Sequence, residues 1–143
     1  MAQGVFEEVL RREGLQDAVE VDSAGTGAWF AGSPPDANAV ASAARRGLDI
    51  SSQRARRISP EDCDRFDYVL TMDESNYRLV STLCRGSAVV RPFLDFDPDS
   101  PEREVPDPYM GDAAGFDRAI DLAERASVGL LADIRSRLPG ARG

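Results

Sequence analysis

"FDYVLTMDESNYRLVSTL", residues 66–83, decides the fold. Residues 67–72 are a near-continuous apolar run, as in a strand covered on both faces of a parallel sheet. Residues 73–83 then read as a helix, and "AVVRPF", residues 88–93, reads as the next strand. Strand, helix and strand in that order indicate an α/β protein with helices on both faces of the sheet.

The flanks extend the same alternation. Residues 2–13 read as a helix with Val5, Phe6, Val9 and Leu10 on one face and Gly14 at the C′ position. A short strand at 19–22 and a glycine-rich loop follow, the loop carrying the only tryptophan, Trp29. Residues 36–47 read as a helix from an Asp36 cap to a terminal Gly47. Ser59, Pro60 and the acids after them mark the start of a short helix. A long acidic loop, 94–114, leads into a last helix at about 115–138 with Phe116, Ile120, Leu130, Leu131 and Ile134 on its inner face. In such sheets ligands bind beyond the carboxyl ends of the strands, where loops 23–33 and 94–114 lie. The order begins with a helix, so a strand expected ahead of it is not among these residues.

Composition narrows the chemistry. A chain of 143 residues is one domain. No apolar run reaches membrane-spanning length, and the first residues lack the pattern of a secretory signal. Cys63 and Cys84 have neither framework nor metal-site spacing, so reduced thiols in a cytoplasm are expected. Histidine is absent, which removes imidazole acid–base chemistry. All 17 basic residues are arginine, which removes Schiff-base and Walker-lysine chemistry. A net charge of −8 argues against a nucleic-acid partner, and no feature indicates a membrane partner.

One loop is built to aim a carboxylate. In "VPDPYMGD", residues 105–112, Pro106 and Pro108 fix the backbone on both sides of Asp107. A phenolate leaves poorly because the phenol has a pKa of about 10, and a held carboxylic acid assists it. An inert turn aspartate is the plainer reading of the spacing alone. Trp29 and Tyr109 could wall a flat ring or simply pack their loops. Arg54, Arg56 and Arg57 could guide an anion or form a solvated basic edge. Neither cysteine starts a phosphate-gripping loop, since Cys84 meets Arg91 one position too late and Cys63 meets no arginine at the required offset.

"VDSAGTGAW", "PPD", "SSQRARRI", "FDYVLTMDESN" and "DPYMGD", in this order before an amphipathic helix, resemble the low-molecular-weight protein tyrosine phosphatases. The resemblance implies a three-layer fold with a four-stranded parallel sheet. It implies phosphotyrosine hydrolysis through a cysteinyl-phosphate, with no metal or other cofactor, on a phosphotyrosine protein or a small aryl phosphate. Asp107 would protonate the leaving group and then act as base on water, with Trp29 and Tyr109 flanking the ring. Ser23 would support the phosphate loop, with Asp73 near it. Family members open with an apolar strand and a Cys-x5-Arg-Ser-Pro loop, whereas Met1-Ala2-Gln3-Gly4-Val5-Phe6 corresponds to the start of the helix after that loop. The expectation is a single phosphatase-like domain, 1–143, incomplete at its N-terminus and inactive as written. Its first, central strand would be missing from between residues 19–22 and 67–72, stripping packing partners from Val5, Val9 and the inner face of the last helix. A start assigned to an internal methionine, or a truncated clone, is the favoured explanation. The alternatives are a non-catalytic interaction module and, with less support, an arsenate reductase, which would need a redox cysteine relay near the strand ends.

Overall fold

The computed structural model describes residues 2–25, 37–53, 56–86, 88–105 and 113–137. Its helices are α1 (Ala2–Arg12), α2 (Ala37–Arg45), α3 (Pro60–Arg65), α4 (Glu74–Leu83) and α5 (Ala113–Arg137). Its strands are β1 (Tyr68–Thr71) and β2 (Val89–Pro92), and a 3-10 turn spans Phe93–Phe96.

Glycine ends the first two helices where the sequence places it. Gly14 and Gly47 take φ of 70° and 76°, the left-handed region that glycine enters without a steric penalty. The Leu15 amide then reaches back to the Leu10 carbonyl at 2.8 Å and the Leu48 amide to the Ala43 carbonyl at 2.9 Å, the long bonds of a Schellman motif. α3 starts as expected from Ser59 and Pro60.

β1 and β2 pair in parallel, from Tyr68 opposite Val89 to Thr71 opposite Pro92. α1, α2, α5 and the 3-10 turn enclose the main core, in which Leu10 is 1% exposed and Ile120 0%. Tyr68, Leu70 and Met72 lean on that core. Side chains alternate along a strand, so Val69 and Thr71 face α3 and α4, which contact β1 from the other side. The result is helix, sheet, helix. Tyr68 fastens the layers: its hydroxyl donates to Asp133 Oδ2 on α5 at 2.5 Å. Burial and then that bond push its phenol up to about 12.

Four expectations need correction. Residues 19–22 are not a strand; among the described residues the sheet has two strands. The segment instead makes one parallel bridge farther on, Gly25 with Arg57, through Gly25 N–H to Arg56 O (2.8 Å) and Ile58 N–H to Gly25 O (2.9 Å). A strand is a ladder with a neighbour, and residues 19–22 have none here to pair with. Val5, Val9 and the inner face of the last helix are not stripped of packing, Val5, Val9 and Ile120 being 1%, 7% and 0% exposed, because α1 packs along α5. Arg56 is no solvated edge, since its guanidinium pairs with both Asp22 and Asp62. The cysteines are not free thiols: Cys63 and Cys84 form a disulfide. α3 and α4 flank β1, which returns two residues 21 apart in sequence to a Cα separation of 5.3 Å. Motif spacing carries no sign of such a meeting.

Candidate active site

The N-terminus of a helix presents amides without intrahelical partners, a natural seat for an anion. α1 begins at Ala2, and Ser23 stands against its first turn, its Oγ donating to Gln3 Oε1 at 2.5 Å. The Ser23 amide donates to Asp22 Oδ1 at 2.8 Å. Close approach near this end of α1 depends on Gly4, where a Cβ would lie 2.6 Å from Ile50 Cγ2.

Arginine holds the Ser23 segment in place. The Arg56 guanidinium donates to Asp22 Oδ2 at 3.1 Å and to Asp62 Oδ2 at 3.0 Å. Asp62 also accepts the Ser59 amide at 2.8 Å, which is half of a capping box. The Arg56 bond, aided by the Ser59 amide, holds the buried Asp62 carboxyl below the usual aspartate range despite desolvation. Arg56 is raised in turn, first by Asp62. A cleft of about 590 Å³ opens beside this network, lined among others by Gln3, Glu7, Asp22, Asp49 and Gln53. Its acidic lining offers no welcome to an anion.

The second half of the site lies at the carboxyl end of β1. Asp73 caps α4, accepting the Asn76 amide at 2.7 Å. The Glu74 amide donates to Glu104 Oε2 at 2.6 Å, and the Val105 amide to the Met72 carbonyl at 2.9 Å. Two successive residues thus dock the start of the proline-rich loop on the β1–α4 junction. Thr71, 2% exposed, ends β1 with its hydroxyl unpartnered among the described residues.

Of the residues singled out from sequence, Ser23 and Asp73 are placed at two helix N-termini. No hydrogen bond among the described residues joins these two groups. Asp107, Trp29, Tyr109 and Arg54 lie outside the described residues. Arg57 is exposed and shares the bridge with Gly25. Sequence reasoning missed Gln3, Glu104 and the clamping role of Arg56. Only the Ser59–Asp62 spacing carried a signal, that of a capping box. Among the described residues no cluster of three or more His, Cys, Asp or Glu could hold a metal ion, and no helix is long and apolar enough to cross a membrane.

The model of the family described as low molecular weight phosphotyrosine protein phosphatase matches residues 1–139. A putative low molecular weight protein-tyrosine-phosphatase of Synechocystis is 36% identical, over 96% of this chain and 88% of its own length. A low molecular weight protein-tyrosine-phosphatase of Streptomyces coelicolor is 35% identical, over 98% and 88%. Among solved structures, a protein tyrosine phosphatase from Entamoeba histolytica superposes with a TM-score of 0.89 at 30% identity, covering 95% of this chain and 88% of that one.

Proposed function

Because the chain belongs to the low molecular weight phosphotyrosine protein phosphatase family, we propose that its site takes aryl phosphate monoesters, phosphotyrosine in a protein above all. Asp107 protonates the departing phenolate and then serves as base toward water. Trp29 and Tyr109 flank the ring. Ser23, against the N-terminus of α1, supports the loop that holds the phosphate, and Asp73, the cap of α4, lies near that loop. The observation that carries the reading is the Ser23–Gln3 contact, which sets the serine against a helix N-terminus. The docking of Glu104 and Val105 supports it, since Asp107 follows Val105 by two residues.

The 143 residues contain no cysteine with arginine six positions on. Phosphoryl transfer needs an in-line nucleophile and stabilised equatorial oxygens, and neither is supplied. We therefore read these residues alone as inactive, and an apolar strand ahead of Met1 as the element that completes sheet and site. The free edge of β1 supports this. Val89 N–H bonds the Asp67 carbonyl at 2.8 Å, so residues 67, 69 and 71 turn their backbone groups to β2. Tyr68 and Leu70 turn theirs the other way, where no strand pairs with them among the described residues. A cytoplasmic setting belongs to the same reading, and the Cys63–Cys84 bridge counts against its reduced-thiol part.

The experiment is an aryl phosphate assay on the 143-residue chain. No turnover above background is expected. Turnover abolished by Cys63→Ser or Cys84→Ser would overturn the reading.

A further inference from the structure

The disulfide lies away from the phosphatase site. Cys63 precedes β1 and Cys84 precedes β2 in the chain, so the bridge sits toward the amino ends of the strands. Ligands of a parallel sheet gather at the carboxyl ends. A relay serving that site would sit there.

The two cysteines differ in exposure. Cys63, on α3, is 7% exposed. Cys84 is half-buried at the C-cap of α4, its amide bonded to Val80 O at 2.8 Å. The exposed Arg85 and Gly86 come next in the chain, and a Cβ on Gly86 would meet nothing within 4 Å. Cys84 is therefore the more exposed of the two cysteines and the one a small thiol would meet first, with Arg85 next in the chain.

The bridge also governs a weak element. α3 has six residues, too few to persist without tertiary support. Its anchors include the Ser59–Asp62 cap, the Arg56–Asp62 ion pair and the disulfide. Arg56 passes the position of α3 on to Asp22, the neighbour of Ser23.

We infer that Cys63 and Cys84 form a reversible thiol–disulfide exchange site for low-molecular-weight thiols and disulfides, and that its oxidised form tethers α3. In the oxidising direction the Cys84 thiolate attacks a small disulfide RSSR. A Cys84–SR bond forms, the R–S–S–R bond breaks and RS⁻ leaves. The Cys63 thiolate then attacks the Cys84 sulfur, closing the bridge and expelling the second RS⁻. The protein loses two electrons and two protons, and RSSR becomes two RSH. Reduction runs the same steps backward, beginning with attack of RS⁻ on Cys84.

The test equilibrates the full chain in native buffer with graded ratios of reduced to oxidised glutathione, followed by acid quench, alkylation and mass analysis. One two-electron transition, reached from both directions, is expected. Hydrogen exchange on the same samples should show loss of protection in residues 56–65 on reduction, with α5 unchanged. Cys63→Ser should take up one glutathione at Cys84, and Cys84→Ser none at Cys63. A bridge that yields only after denaturation overturns the proposal, as does reduction that unprotects α5 together with α3. Equal glutathione uptake by both variants overturns the assignment of Cys84 as the attacked sulfur.

Discussion

The Val105 amide donates to the Met72 carbonyl at 2.9 Å. That bond joins the residue after β1 to the second residue before Asp107. The end of β1 and the residues that lead toward Asp107 are thereby joined. Val105→Pro removes the donor and leaves Met72 O unpaired, a loss of about 1–3 kcal/mol. Thermal melting should show the drop, and an unchanged midpoint would mean the loop is held elsewhere.

Asp73 caps α4 through the Asn76 amide. Asp73→Ala should cost about 1 kcal/mol of stability, and Asp73→Asn little, because either side-chain oxygen can accept that bond. Equal losses in denaturant unfolding would assign Asp73 a role beyond the cap.

Asp62 and Arg56 give a pH signature. The folded carboxyl lies below its ordinary value, chiefly because of Arg56. A depressed carboxyl contributes stability above its unfolded pKa, about 4, and loses it as pH falls through the folded value. Asp62→Asn should therefore be less stable than the parent at neutral pH, by about 1–2 kcal/mol given the partial exposure of Arg56. The gap should close in acid. A constant gap across that range would show that the charge on Asp62 is not what matters.

Gly129 reverses an ordinary rule. Alanine in a helix interior normally gains about 1 kcal/mol over glycine, but a Cβ at Gly129 would lie 1.8 Å from the Phe96 carbonyl oxygen. The 3-10 turn would have to move off α5. Gly129→Ala should destabilise by about 3 kcal/mol or more, and a raised melting point would show that the turn yields freely.

Particular elements mark how far the sequence was legible. Gly14, Gly47 and the Ser59–Pro60 start carry their own local physics, and each helix ended or began where they put it. β1 and β2 were legible because an apolar run between helices has few other uses. Residues 19–22 were not, because a strand exists only with its neighbour and the sequence does not name one. The Cys63–Cys84 bridge and the Arg56 clamp join residues brought together by the path through α3, β1 and α4. Ser23 and Asp73 were singled out from motif order, and the structure sets each against the first turn of a helix. Gln3, Glu104 and Arg56 were not legible, because each acts across the fold on a backbone or side chain distant in sequence.

The most direct measurement is aryl phosphate turnover after an apolar strand and a Cys-x5-Arg-Ser-Pro loop are joined ahead of Met1, compared with the same protein bearing Asp107→Asn. Turnover without added metal is expected in the first. In the second, kcat should fall by about 10²–10⁴ while a non-hydrolysable phosphotyrosine analogue binds as before. A folded but inactive extended chain, or an equal loss of turnover and analogue binding in Asp107→Asn, would contradict it.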